Sequence, residues 1–300
     1  MFALPSRLAE HQKGLLLTTL GVLVLSPDSL LVRLAGLEPF TLLVWRGALQ
    51  ALGILAILAL LYPGQVMAQI RAIGRCGLLL AAVFTGSTLF FILALYHTAV
   101  ADVLIIVAAA PLAAAVLSRS FLGEAVPFRT WVAITLTLLG IGLLVLEDLG
   151  SGSLWGDFSA FCCALCIGAS LTITRHGRAV SMVPAMSLAG TLTALLALPL
   201  ALFLEPGSLV PAGPQLVYVL LMGLFVAPVS FALITAGPRY LPAAEVGLLM
   251  LLETVLGPLW VWLIIGEYPG DLALIGGGIV VLTLAGHALA GNRQRRAALT

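Results

Sequence analysis

The sequence predicts an all-α polytopic membrane protein: ten transmembrane helices forming two inverted five-helix repeats around a central cavity. Three observations lead there. Residues AVILMFWYC make up 61% of the 300-residue chain and charged residues only 9%, against about 45–50% and about 25% in average globular proteins. A soluble body this size could not cover its surface with so few charges. Proline, glycine and charge then divide the chain into ten apolar runs of crossing length. One crossing takes about 20 apolar residues, so ten take roughly 200 and leave only short connections. Finally, the two halves of the chain repeat. Strand alternation is absent, which argues against a membrane barrel.

In order, the spans fall near 14–33, 39–61, 77–96, 102–120 and 130–147, then 156–175, 184–204, 215–236, 244–265 and 272–290. No small-residue cleavage site follows the first run, so it reads as a retained helix. The fourth run is the shortest and ends near Arg119. Lys and Arg set the orientation. Arg7, Lys13, Arg71, Arg75, Arg119, Arg129, Arg175, Arg178, Arg239, Arg293, Arg295 and Arg296 share one side; Arg33 alone lies on the other, and Arg46 falls inside the second span. That split of 12 to 1 places both termini in the cytoplasm. The net charge of +1 and the lack of a long basic run exclude nucleic acid as a partner. One lysine against thirteen arginines points to a GC-rich bacterial genome.

A shift of 143 places Asp102 on Glu245 and Gly123-Glu124 on Gly266-Glu267, with Pro111 and Pro258 inside the intervening spans. A shift of 142 places Gly14 on Gly156 and Arg33 on Arg175. The repeats therefore cover 1–150 and 151–300. Five spans each is an odd number, so the second repeat enters the membrane from the opposite face. Inverted repeats are a transporter architecture, with the binding site expected near midplane between them.

Phe121-Leu122-Gly123-Glu124, Ile264-Ile265-Gly266-Glu267 and Leu251-Leu252-Glu253, set in ten spans and two repeats, resemble the drug/metabolite transporter superfamily, EamA type. That family usually places proline directly after the glutamate of its ninth helix; this chain has Thr254 there, with Pro258 one turn later. The resemblance covers nearly the whole chain. It implies a monomeric basket of helices working by alternating access, and the nearest branch is that of the amino-acid exporters, aromatic amino acids included.

The candidate site residues follow from polarity inside the spans. A charge at helix centre costs about 2.5–3.5 kcal/mol on insertion scales, which marks such residues for attention. Glu253 lies nine residues past Ala244, about 14 Å in at 1.5 Å per residue. It reads either as a cavity-lining, proton-linked acid or as a brace between helices. Asp28 and Arg46 sit at similar depth in the first two spans and can pair; Arg46 can instead hold a substrate carboxylate with its planar fork. Ser159, Cys163, Cys166, Ser170 and Thr174 form one polar face of the sixth span. Asp28 is the first-span counterpart of Ser170. That face is either the wall of a water-filled path or a tight contact of small residues. Phe84, Ser87, Thr88 and Phe91 share a face of the third span, open to readings as core packing or as a wall for an apolar side chain. Pro111, Pro199, Pro228 and Pro258 each remove a helical hydrogen bond. Pro111 and Pro258 mark the fourth and ninth helices as gating elements.

No H-E-x-x-H, G-x-S-x-G or P-loop signature is present, so no enzyme is expected and no cofactor is implied. Cys76, Cys162, Cys163 and Cys166 form neither a disulfide framework nor a metal site. His11, His97, His176 and His287 are scattered near span ends. The leading reading is a bacterial inner-membrane secondary transporter, partnered by lipid and a small-molecule substrate, that exports small metabolites, amino acids foremost. A membrane enzyme or lipid-handling protein without a recognised motif, and a channel, are the alternatives.

Overall fold

The computed structural model describes residues 6–123 and 154–268, apart from Pro206 and Ser208, and isolated positions between 128 and 139 and between 270 and 286. Among these residues eight helical runs are long and apolar enough to cross a membrane: Glu10–Ala35, Pro39–Leu61, Gly74–His97, Val100–Leu122, Leu154–His176, Val183–Leu204, Pro214–Arg239 and Ala243–Ile265. They coincide with eight of the expected spans. The expected fifth and tenth spans, 130–147 and 272–290, lie largely outside the described residues.

Several of these runs are interrupted. The first comprises α1 (Ser6–Leu25) and α2 (Asp28–Ala35). Pro27 has no N–H to offer the carbonyl of Leu23, and the Ser26 hydroxyl donates to that carbonyl instead at 2.9 Å. The sequence reading overlooked this break. The second and third spans are α3 (Pro39–Leu61) and α5 (Gly74–His97), with the short α4 (Val66–Ala72) between them. The fourth is split into α6 (Val100–Val107) and α7 (Ala110–Leu122). Here Pro111 is the cause: it cannot bond Val107, and the chain tightens into short bonds from Ala109 N–H to Ile106 and from Leu112 N–H to Ala109, each 3.0 Å.

In the second half, α8 (Leu154–His176) and α9 (Val183–Leu204) are continuous. The eighth span runs as α10 (Pro214–Leu220), a π-helical segment Leu221–Val226, and α11 (Ala227–Ala236), so the wide turn directly precedes Pro228. The ninth is α12 (Ala243–Met250) and α13 (Leu252–Ile265). Its break is at Leu251, seven residues before the proline singled out in the sequence; Pro258 and Pro199 both lie inside uninterrupted helix.

The repeat reappears in the geometry. α6 and α12 begin and end at positions 143 apart. Gly123 and Gly266 end α7 and α13 in the left-handed region, at φ 65° and 79°, which a glycine adopts without a Cβ penalty. α3 crosses α9 where Gly47 meets Gly190: a Cβ on Gly47 would stand 2.5 Å from the Gly190 carbonyl oxygen, and one on Gly190 would stand 2.6 Å from the Gly47 oxygen. Gly14 lies against Tyr240 and Leu241, while Gly156 lies against His97 and Thr98. Each contact thus recurs with the roles of the halves exchanged. The main packing follows suit, α5 along α8 and α1 along α11.

The α3 N-terminus is capped from the other half. Glu205 accepts from Phe40 N–H at 2.7 Å, Thr41 N–H at 2.8 Å and the Thr41 hydroxyl at 2.7 Å. Side chains such as Phe203, Leu60 and Phe121 are exposed by 86, 81 and 77% on the outer faces. In water such faces would aggregate; in a bilayer they meet lipid. Inside, two apolar clusters stack along the bundle. One is built on Leu42, Ile92 and Val103, the other on Ile54, Leu80 and Met186.

Candidate functional site

A cavity of about 90 Å³ opens where the interrupted helices meet. At ~15 Å³ per water position, that admits several water-sized groups. Three breaks contribute to its wall: Leu25 and Asp28 flank the first, Ala108, Ala110 and Pro111 the second, and Leu251, Glu253 and Thr254 the third. The second and third are repeat counterparts, since 108 and 251 differ by 143. Each break exposes a helix N-terminus, whose partial positive charge favours a nearby carboxylate. Asp28 lies in the first turn of α2 and Glu253 in the first turn of α13. Interrupted helices of this sort are tolerated in membranes where they line a protein-enclosed cavity.

Asp28 and Arg46 form an ion pair, with Nη1 donating to Oδ1 at 2.7 Å. Both residues are buried, at 1 and 2% exposure. Arg46 Nε and the Ser170 hydroxyl are buried and have no hydrogen-bond partner among the described residues. Glu253 lies within coulombic reach of both members of the pair. The site therefore holds one cation and two carboxyl groups.

The opposite wall is apolar. Phe84 meets Phe231 edge to face, with ring centroids 4.8 Å apart, and Phe91, Leu104 and Met186 extend it. Ser87 and Thr88 line the cavity too, but their hydroxyls donate back to the Phe84 carbonyl. They contribute small size more than free polarity.

Of the residues chosen from sequence, Phe84, Ser87, Thr88, Phe91, Cys163, Ser170, Glu253, Asp28, Arg46 and Pro111 lie on this cavity. Ser159, Cys166 and Pro258 do not. The reason on α8 is helical pitch. The lining positions are Cys163, Ile167, Ser170, Leu171 and Thr174. Cys166 is turned toward α5, where it stands 3.4 Å from a Cβ placed on Gly86. Ser159 is a turn further along and donates to the Trp155 carbonyl at 2.8 Å. Phe231 and Thr235 were missed, because α11 carries no polar stripe to single them out.

At one end of the bundle, Arg33 ties three of the cavity-forming segments together. Its Nε stands 3.3 Å from Glu267 Oε2, and Nη2 donates to the Thr98 carbonyl at 3.0 Å. Glu267 Oε1 also accepts the Val100 N–H at 3.1 Å. The end of α2, the start of α6 and the residues after α13 are thereby joined.

With this geometry in hand, the likeness to known proteins is informative. A family model described as the EamA-like transporter family matches twice, over residues 12–146 and 154–288. One solved crystal structure is similar with a TM-score of 0.73, covering 94% of this chain and 99% of that one at 19% identity. At that identity the likeness speaks for the fold alone. No sequence among curated proteins matches the chain.

Proposed function

The chain belongs to the EamA-like transporter family and is a multi-pass membrane transporter; from that premise we propose that it is a bacterial inner-membrane secondary transporter that exports small metabolites, amino acids foremost, by alternating access. Aromatic amino acids are included. The observation that carries this reading is the cavity between the two repeats, where a buried cation, two carboxyl groups and an aromatic wall meet at three helix breaks. An amino acid matches that set in kind, having a carboxylate, an ammonium group and an apolar side chain.

Alternating access needs two arrangements of one scaffold that differ little in energy. Two repeats, 1–150 and 151–300, inserted in opposite senses supply them, because exchanging the conformations of the halves turns an inward-open state into an outward-open one. The exchanged contacts Gly14 with Tyr240–Leu241 and Gly156 with His97–Thr98 support that relation. The protein works as a monomer, since each chain holds both repeats.

The test is counterflow in proteoliposomes of the purified protein against a panel of radiolabelled amino acids. Saturable uptake that is accelerated by substrate on the opposite side is expected. Flux without saturation or counterflow would identify a channel, and chemical conversion of the label would identify an enzyme.

A further inference from the structure

We infer that the Nε edge of Arg46 and the hydroxyl of Ser170 form a receptor for a carboxylate, so that the cavity selects substrates bearing a free carboxylate. This narrows the transport reading above and rests on it. Among the described residues Arg46 is engaged at one atom only: Nη1 donates to Asp28 at 2.7 Å. Arginine–carboxylate pairs are frequently bidentate, with two parallel bonds, and this one uses a single bond. Arg46 lines the cavity, and its Nε is buried without a hydrogen-bond partner among the described residues. A buried N–H of a charged group left unmet is costly. Asp28, placed in the first turn of α2, orients the guanidinium while leaving its Nε side unused.

Ser170 supplies the second donor. The other serine and threonine hydroxyls on α8, those of Ser159, Thr172 and Thr174, each donate to the carbonyl four residues back. That back-bonding is the usual way for a helix to satisfy such groups. Ser170 departs from it. Ser170 lines the cavity, and its hydroxyl is buried and unpartnered among the described residues. A carboxylate accepts from both types of donor at once.

Charge completes the ligand. Asp28 already balances Arg46, and Glu253 lies within coulombic reach of both. A carboxylate entering this site brings its own positive group, which faces Glu253. The substrate class is thus an α-amino acid or a similar zwitterion.

The probes are L-phenylalanine and L-leucine, each beside its amide, which keeps the ammonium group and loses the carboxylate. Binding is measured on the purified full-length protein by calorimetry, and counterflow in proteoliposomes. The free acids are expected to bind roughly tenfold or more tightly than the amides, the usual worth of charge-assisted bonds. Ser170→Ala, which removes a hydroxyl with no partner among the described residues, is expected to keep the wild-type Tm, weaken the acids and leave the amides unchanged. Arg46→Lys keeps a charge beside Asp28 but loses the fork, and is expected to erase the preference for acid over amide. Equal handling of acid and amide by wild type would overturn the carboxylate receptor while leaving amino-acid transport in place. If neither acid nor amide is bound or moved, the amino-acid reading itself falls, and this inference with it.

Discussion

Glu253 and Asp28 are both acids at the N-terminal turn of a helix that starts inside the bundle, yet they are held differently. Asp28 is neutralised by Arg46 at 2.7 Å, whereas Glu253 makes no hydrogen bond or ion pair among the described residues and faces Asp28, Arg46 and Cys163 across the cavity. Removing one partner of a buried pair leaves an uncompensated charge and costs about 3–5 kcal/mol. Asp28→Ala should therefore lower the Tm sharply, and the double variant Asp28→Leu/Arg46→Leu should recover much of it, as thermal unfolding in detergent would show. Glu253→Gln keeps shape and loses titration. If the acid exchanges protons during transport, the variant's turnover becomes less sensitive to pH where wild type varies; an unchanged pH profile with normal turnover would leave Glu253 a brace between helices. These residues were legible in the sequence because a charge deep in an apolar span has few explanations. Cys166 and Ser159 were misplaced because a polar stripe gives a helical face only to within a fraction of a turn, and the cavity occupies a narrower arc and a shorter length than the stripe.

At the scale of the element, proline is an uneven guide to where a membrane helix breaks. Pro111 does mark where one helix ends and another starts: it has no N–H for the Val107 carbonyl, and Val107, Ala108 and Ala110 all line the cavity. Pro258 sits in unbroken helix, and the ninth span is interrupted at Leu251 instead, with no local sequence cue. What locates that break is the repeat: Leu251 is the counterpart of Ala108, and Gly247 packs on Pro111, where a Cβ would come within 3.0 Å of the proline Cα. Pro111→Ala is accordingly expected to slow counterflow while expression holds, and Pro258→Ala to transport near the wild-type rate. Wild-type turnover by Pro111→Ala would retire the hinge. The α3–α9 crossing makes a second, static demand. Gly47→Val would drive side-chain carbon into the Gly190 carbonyl 2.5 Å from the Cβ position, and overpacking of this kind costs about 1–3 kcal/mol. A lowered Tm in detergent, with the cavity residues untouched, is the expected reading.

For the molecule as a whole, the sense of the repeats and the side on which each end lies are one question. Arg33 and Arg175 are counterparts 142 residues apart, and the proposed five spans in each repeat would put them on opposite faces. On the proposed topology the junction of Arg33, Glu267 and Val100 belongs to the outer side, and Arg175, donating to the Pro238 carbonyl at 3.1 Å, to the inner side. The charge split agrees: with Arg46 inside a span and Arg33 outside, the remaining twelve cations fall on the side of the termini. Had the fifth span been miscounted, every later loop would change sides and the split would fall to 6 against 7, because the cations are shared between the two halves of the chain. Cytoplasmic loops retain such cations while short translocated loops exclude them. Epitope tags fused to either terminus should therefore be inaccessible in intact cells and accessible after permeabilisation, while a tag inserted after Gly150, between the repeats, should be accessible from outside. A tag at one terminus exposed and the other hidden would mean an odd number of crossings, and the repeats could not then be inverted copies of five spans each. Both termini exposed would keep the count but reverse the molecule, placing the Arg33–Glu267 ion pair on the cytoplasmic face.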